Sequence, residues 1–409
     1  MTSELGQRFA VTVGALLVFR LGTFIPIPGI DPLVWEQMFR THAGGLLGVS
    51  NVFSGGGIQR LAILALGIMP YLSAAVVVQL MAIASPKLAG LRERNEQGRR
   101  LLDRYTLGLT VVIAAFQAYG IAVALEGAGN VVAEAGVVFR LATVLTLTGG
   151  TVFLAWLADV VTARGLGNGV ALLLAIGIVT ELPPVLAGTL ILGSQGVLSP
   201  AVILTLVAVT IAVTALIAFV ELARRRLAVT YGGRTIGDRT VEGRSVEMPL
   251  KVNMAGLVPA WLVTWLVLLP MTMIGLVGWP LPAWWGDFIM RSGQGYLLFA
   301  IVSCVLIVPC ALFYCALVFD PDDAAERLRR YGGVIAGCEP GEQTAAHLDH
   351  IVSRITIVGA LYLALVSLIP ETLIAYLQVP FYFGSISLMI VVCTFIDLRT
   401  QMQAMKRIA

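Results

Sequence analysis

Asn51–Met81 reads NVFSGGGIQRLAILALGIMPYLSAAVVVQLM. Three consecutive glycines, Gly55, Gly56 and Gly57, lead into an apolar helix that carries Pro70 near its start and Gln79 near its end. In water this would be an ordinary loop running into a helix. In hydrocarbon, unpaired backbone amides and carbonyls cost several kcal/mol each, so irregular backbone survives at membrane depth only inside protein or against a water-filled cavity. The stretch is therefore expected to be a half-inserted element lining a pathway.

The composition supplies the membrane. Mean hydropathy is +0.90, and 12% charged residues is about half the roughly 25% usual in soluble domains. A bilayer core of about 30 Å takes roughly 20 apolar residues per helix. Apolar runs predict ten spans, near 9–27, 66–84, 105–125, 138–158, 169–186, 199–221, 254–277, 296–319, 354–374 and 381–397. Glu181, Pro183 and Pro184 interrupt the fifth, which argues for a short helix or one ending at the proline pair.

Basic loops stay cytoplasmic. One set of alternate loops holds 22 of the Lys and Arg residues and the other holds 4, with Arg20 inside the first span, so both termini are expected in the cytoplasm. The net charge of +3 is thus a topology signal more than one for nucleic acid. Residues 1–8 are short and mixed in charge, and no small-residue cleavage pattern follows, so the first helix reads as an uncleaved anchor. Cys304, Cys310, Cys315 and Cys393 lie in spans and read as small packing groups. Cys338, His347 and His350 fit no usual zinc spacing, so no metal is expected.

Ten spans invite a division into two five-helix halves, residues 1–192 and 193–409, related by inverted topology with a pathway at their interface. Pro70 and Pro259 fall in corresponding members of each half. Gln79 and Asn253 lie toward the cytoplasmic ends of their spans, either as amides bonding neighbouring helices or as part of a contact that opens. No Asp, Glu or His reads as deep within a span, which disfavours a proton relay or cation site. No P-loop and no nucleophile–base pair appears, so neither a catalytic residue nor a cofactor is expected.

Six stretches resemble the SecY family, the central subunit of the protein-conducting channel. They are FIPIPGID (Phe24–Asp31), FSGGGIQRLAILALGIMPYLSA (Phe53–Ala74), RGLGNGV (Arg164–Val170), PLKVNMAGLVPA (Pro249–Ala260), PGEQTA (Pro340–Ala345) and VPFYFG (Val379–Gly384). The resemblance implies an all-α polytopic membrane protein of ten helices that moves unfolded, signal-peptide-bearing preproteins across the bacterial cytoplasmic membrane or releases hydrophobic segments into the lipid bilayer. It implies a plug, a short helix at Asn51, Val52, Phe53, Ser54, Gly55, Gly56, Gly57, Ile58 and Gln59, with Arg60 at its end. A pore ring falls on Ile68, Leu72, Val170, Leu174, Trp261 and Ile390, and a lateral gate on Gln79 and Asn253. An apolar ring blocks ions by dewetting yet closes around a passing chain without binding it. Implied partners are SecE-like and SecG-like subunits and a SecA-like motor ATPase or the translating ribosome, docking on loops 222–250 and 320–353.

Three positions depart from the family's pattern. Around the arginines Arg224, Arg225 and Arg226, the first docking loop is basic, but its tip balances Arg234, Arg239 and Arg244 against Asp238, Glu242 and Glu247. Contact with ribosomal RNA would favour a basic tip. Glu339 stands where the family usually carries arginine, and Trp261 replaces a mid-sized aliphatic in the ring; it either seals a looser ring or tilts onto a neighbour. The chain also reads as short at both ends. These departures point to a divergent or secondary SecY with a specialised partner, or an inactive copy. A secondary transporter of a small solute, needing a polar midplane site in place of an apolar ring, is the reading from another class.

Overall fold

A computed structural model describes residues 2–42, 45–85, 96–128, 131–231, 234–236, 239–241, 244–260, 262–263, 293–335, 337–377 and 384–408. Two compact units form. The first comprises Met1–Val209, Ile289–Gly293 and Ile374–Ala409, and the second Thr210–Phe288 and Gln294–Leu373.

The first unit is helical: α1 (Thr2–Gly22), α2 (Pro32–His42), α3 (Gly45–Phe53), α4 (Met69–Ala84), α5 (Glu96–Gly127), α6 (Val137–Arg164), α7 (Gly169–Ser194), the start of α8 (Pro200–Leu222), and α12 (Ser385–Ile408) from the end of the chain. Helix α5 packs on α4 and α6, while α7 packs on α6, α3 and α12. Among the described residues seven helical stretches are long and apolar enough to cross a membrane, from Glu4–Gly22 to Glu342–Pro370. Helix α4 is 16 residues long. Most of the expected span at 254–277 lies outside the described residues. Large apolar side chains such as Leu204, Ile211 and Phe219 on α8 face outward, an arrangement that hydrocarbon tolerates and water does not.

Two expectations change. Helix α7 does not stop at the prolines; it runs unbroken through Pro183 and Pro184 to Ser194. Ending it there would strand a turn of carbonyls in hydrocarbon, so a membrane helix tolerates the missing amides instead. Pro70 does not interrupt a helix either. It lies in the first turn of α4, where an absent N–H leaves no bond unmade.

The stretch between α3 and α4 is tied to neighbouring segments by three hydrogen bonds. Ile27 N–H donates to Leu61 O at 2.8 Å, Ile63 N–H donates to Ile25 O at 2.8 Å, and Trp35 Nε1 donates to Ile58 O at 2.8 Å. The extended FIPIPGID segment thus supplies backbone partners that lipid would not. Ile27, Trp35, Phe39, Leu61, Phe139 and Leu147 share one buried cluster that anchors both segments.

The second unit holds α9 (Gly293–Val318), α10 (Pro321–Arg330), most of α11 (Glu342–Leu377), and a sheet the apolar runs did not predict. Strands β1 (Arg224–Tyr231) and β4 (Arg244–Lys251) pair antiparallel from Arg224↔Lys251 to Tyr231↔Arg244, with β5 (Gly333–Ile335) on the other edge of β1. Between them β2 (Arg234–Ile236) and β3 (Arg239–Val241) form a two-stranded hairpin. Leu227, Val229, Leu250 and Ile335 bury one face of the larger sheet on Leu348, Ile351 and Val352 of α11. Segments of the loops at 222–250 and 320–353 thereby join in one folded element.

Candidate plug and pore

Asn51 through Gly57 are all buried, and Ile58, Gln59 and Arg60 are half-buried. The expected short helix over Asn51–Gln59 is not what forms: helix α3 ends at Phe53, and turns carry the chain from Ser54 to Ile68. Gly55 (φ +65°) and Gly56 (φ +80°) adopt left-handed backbone that a helix cannot continue. Asn51 stabilises the turn, its Oδ1 accepting from Gln59 N–H at 2.8 Å, while Ser54 Oγ donates to Asn51 O at 3.0 Å. Arg60 Nη1 donates to Gly56 O at 3.1 Å.

The turn lies directly on α7. A Cβ on Gly55 would lie 3.2 Å from Gly177 Cα, and one on Gly177 would lie 3.2 Å from Phe53 O. Backbone therefore meets backbone, which only glycines allow at this distance. Four residues on, Glu181 is 6% exposed at the middle of α7, and Asn51 Nδ2 donates to its Oε2 at 3.5 Å. This corrects the expectation that no acid lies deep in a span. Sequence reading took Glu181 for a helix breaker. Its signal was the spacing 174, 177, 181, which puts it on one face with Leu174 and Gly177.

The motif RGLGNGV is the tight connection that sets the start of α7. Asn168 Oδ1 caps the helix, accepting from Val170 N–H at 3.0 Å and Ala171 N–H at 3.3 Å. Leu166 N–H donates to Thr12 Oγ1 of α1 at 2.9 Å, and Gly169 N–H donates to Thr162 Oγ1 at 2.8 Å. Val170 is half-buried and Leu174, one turn on, is buried. Helix α12 lies alongside: Thr394 Oγ1 reaches Ala171 O at 3.4 Å, and Gln401 Oε1 accepts from Gly167 N–H at 2.9 Å. Ile390, one turn before Thr394, is 3% exposed. Ile68 is buried at the N-cap of α4, and Leu72 above it is half-buried. These five residues all belong to the first unit. Trp261 lies outside the described residues.

Gln79 is half-buried on α4 in the first unit; Asn253 is buried in the second. Asn253 Nδ2 donates to Glu221 Oε1 at 2.7 Å and its Oδ1 accepts from Gly256 N–H at 3.0 Å. Glu221 was not singled out from sequence. Glu221→Ala is expected to lower stability by about 1–3 kcal/mol, because it strips a buried amide of its charged partner. Thermal unfolding of the purified protein measures this; Glu221→Gln, which keeps an acceptor, should lose less.

Arg224, Arg225 and Arg226 are exposed on β1, with Arg226 Nη1 3.0 Å from Glu247 Oε2. Arg234 and Arg239 stand in β2 and β3, their side chains outside the described set. Glu339 is exposed just before α11, where Gln343 Nε2 donates to its Oε2 at 3.4 Å and Thr344 Oγ1 donates to its carbonyl at 2.8 Å. An acid suits a helix N-terminus.

Comparison with known proteins agrees with this architecture. The SecY family model matches residues 62–399. Protein translocase subunit SecY of Escherichia coli K12 is 40% identical over 409 residues, covering 98% of this chain and 92% of that one. Its namesake in Vibrio cholerae is 40% identical over 406 residues, covering 98% and 91%. The fold is that of a solved protein-conducting channel, with a TM-score of 0.66 at 17% identity over 98% of this chain and 93% of the other. The Sec61 chain of the canine ribosome–channel complex from the endoplasmic reticulum gives 0.60 at 15% identity, over 98% and 93%. With its matched motifs, its fold and these relatives in agreement, the chain belongs to the SecY family.

Proposed function

We propose that this chain is the protein-conducting subunit of a bacterial Sec translocase, passing unfolded preproteins across the cytoplasmic membrane and releasing hydrophobic segments into lipid. The observation that carries the reading is the buried, glycine-rich turn at Asn51–Arg60, seated on Gly177 of α7 in the same unit as Ile68, Leu174 and Ile390. In this reading the turn is a plug, and the apolar residues, with Leu72, Val170 and Trp261, form a ring that dewets when idle. The two halves, 1–192 and 193–409, part at a lateral gate that includes Gln79 and Asn253. Both termini are cytoplasmic.

The relatives are named as translocase subunits, which supports partnership with SecE-like and SecG-like subunits and a SecA-like motor. The likeness to a ribosome-bound channel supports docking of a translating ribosome on the sheet that joins the two loops. Glu339, tied into the start of α11, and the charge-balanced tip favour a specialised partner over a general one. A solute transporter would need a polar midplane site open to substrate. Here the buried acid at Glu181 is met by the chain's own Asn51.

Reconstitution tests the proposal. Vesicles containing the chain, its SecE-like partner and the cognate motor should protect a secretory precursor from external protease in an ATP-dependent manner. Protection no greater than in empty vesicles, with the complex intact, would refute it.

A further inference from the structure

Glu181 is a carboxylic acid buried at the middle of a membrane helix, and it faces groups of the turn packed on it. Beyond the bond from Asn51, a Cβ on Gly56 would lie 2.5 Å from both Glu181 Oε1 and Arg60 Nη1. A carboxylate and a guanidinium therefore both border the space where a Gly56 side chain would stand. Arg20 Nη1 of α1 donates to Gly55 O at 2.8 Å. The Phe24 ring receives both cations, with Arg20 4.7 Å and Arg60 4.3 Å from its centroid.

These groups divide into fixed and mobile parts. Glu181 and Arg20 belong to membrane helices α7 and α1, whereas in the plug reading Asn51, at the end of α3, and Arg60 leave with the plug. A buried carboxylate is costly unless it is paired. In the plug reading, departure of the turn takes Asn51 and Arg60 from Glu181 and leaves Arg20 on α1.

We propose that Glu181 is the positioning residue that latches the plug, its carboxylate holding Asn51 directly and Arg60 through the space beside Gly56 until the passing chain parts them. The inference rests on the plug reading. In it, Gly56 has no side chain because one would wedge the latch open, and the latch can re-form after each passage.

Ion conductance of the purified complex in planar bilayers, with no substrate present, tests it. Glu181→Gln is expected to raise the idle leak about tenfold or more, the effect of losing a charged hydrogen bond on a closed-to-open ratio. Glu181→Arg combined with Arg60→Glu, which restores opposite charges beside Gly56, is expected to bring the leak back toward the parental value. A merely structural role for Glu181 would not be rescued by that exchange. Parental leak in Glu181→Gln, at parental abundance, overturns the latch. If Glu181→Gln does not accumulate, the charge exchange decides: accumulation with a parental seal supports the latch, and failure to accumulate or a persistent leak overturns it. A variant lacking Gly55–Gly57 separates the two readings. If it does not leak, the plug reading fails and the latch with it; if it leaks and Glu181→Gln does not, only the latch fails.

Discussion

Gly169→Leu is expected to abolish accumulation of the folded protein in the membrane. Gly169 opens α7 where it crosses α6, and a Cβ there would run into the carbonyl oxygen of Ala158, with Ala158 C at 2.7 Å and Cα at 2.8 Å. Each obstacle is backbone of a packed helix, which has no rotamer to change. Overpacking costs about 1–3 kcal/mol where side chains can shift and more where they cannot, against a total stability of about 5–15 kcal/mol. The displacement would also break the Thr162–Gly169 bond and the Asn168 cap, which orient Val170 and Leu174. Gly108→Leu on α5, where a Cβ meets nothing within 4 Å, is the control and should accumulate normally. Membrane abundance by immunoblot measures both. Equal abundance would show that the α6–α7 crossing is looser than its geometry.

Much of the membrane architecture was legible because hydrocarbon demands long apolar runs, and such runs are local. The expected spans at 138–158, 199–221 and 296–319 became helices Val137–Arg164, Pro200–Leu222 and Gly293–Val318. What escaped depended on distant partners. The sheet of β1, β4 and β5 joins residues about a hundred positions apart, and its inner face needs α11 to bury it. Its strands carry Arg, Thr and Glu, which read as a polar loop. Glu181 escaped for a related reason. Two prolines beside it are a local signal for a helix end, while the residue that makes sense of its charge, Asn51, is 130 positions earlier. The irregular stretch Asn51–Met81 did announce itself, yet its form differed: helix to Phe53, then turns to Ile68, set by Gly55 and Gly56.

The placement of Glu181 also refines how a membrane protein could seal a wide passage. An apolar ring resists ions by dewetting but gives a displaceable segment no preferred seat. Charged contacts supply direction, and their cost of burial means they hold only when each partner is in place. In this account the ring excludes water, and the contacts among Glu181, Asn51, Arg60 and Arg20 select one closed arrangement.

The central claim is that a polypeptide passes beside α4 and α7. Leu72 is the residue to probe, since it is half-buried one turn above Ile68, whose carbonyl accepts from Leu72 N–H at 3.1 Å. Its side chain would line the path immediately past the plug. In a background without the five native cysteines, Leu72→Cys should form a disulfide with a cysteine placed in a secretory chain stalled during export. Leu145→Cys, 72% exposed on α6, should form none. A stalled chain that cross-links to Leu145→Cys but never to Leu72→Cys would contradict the account.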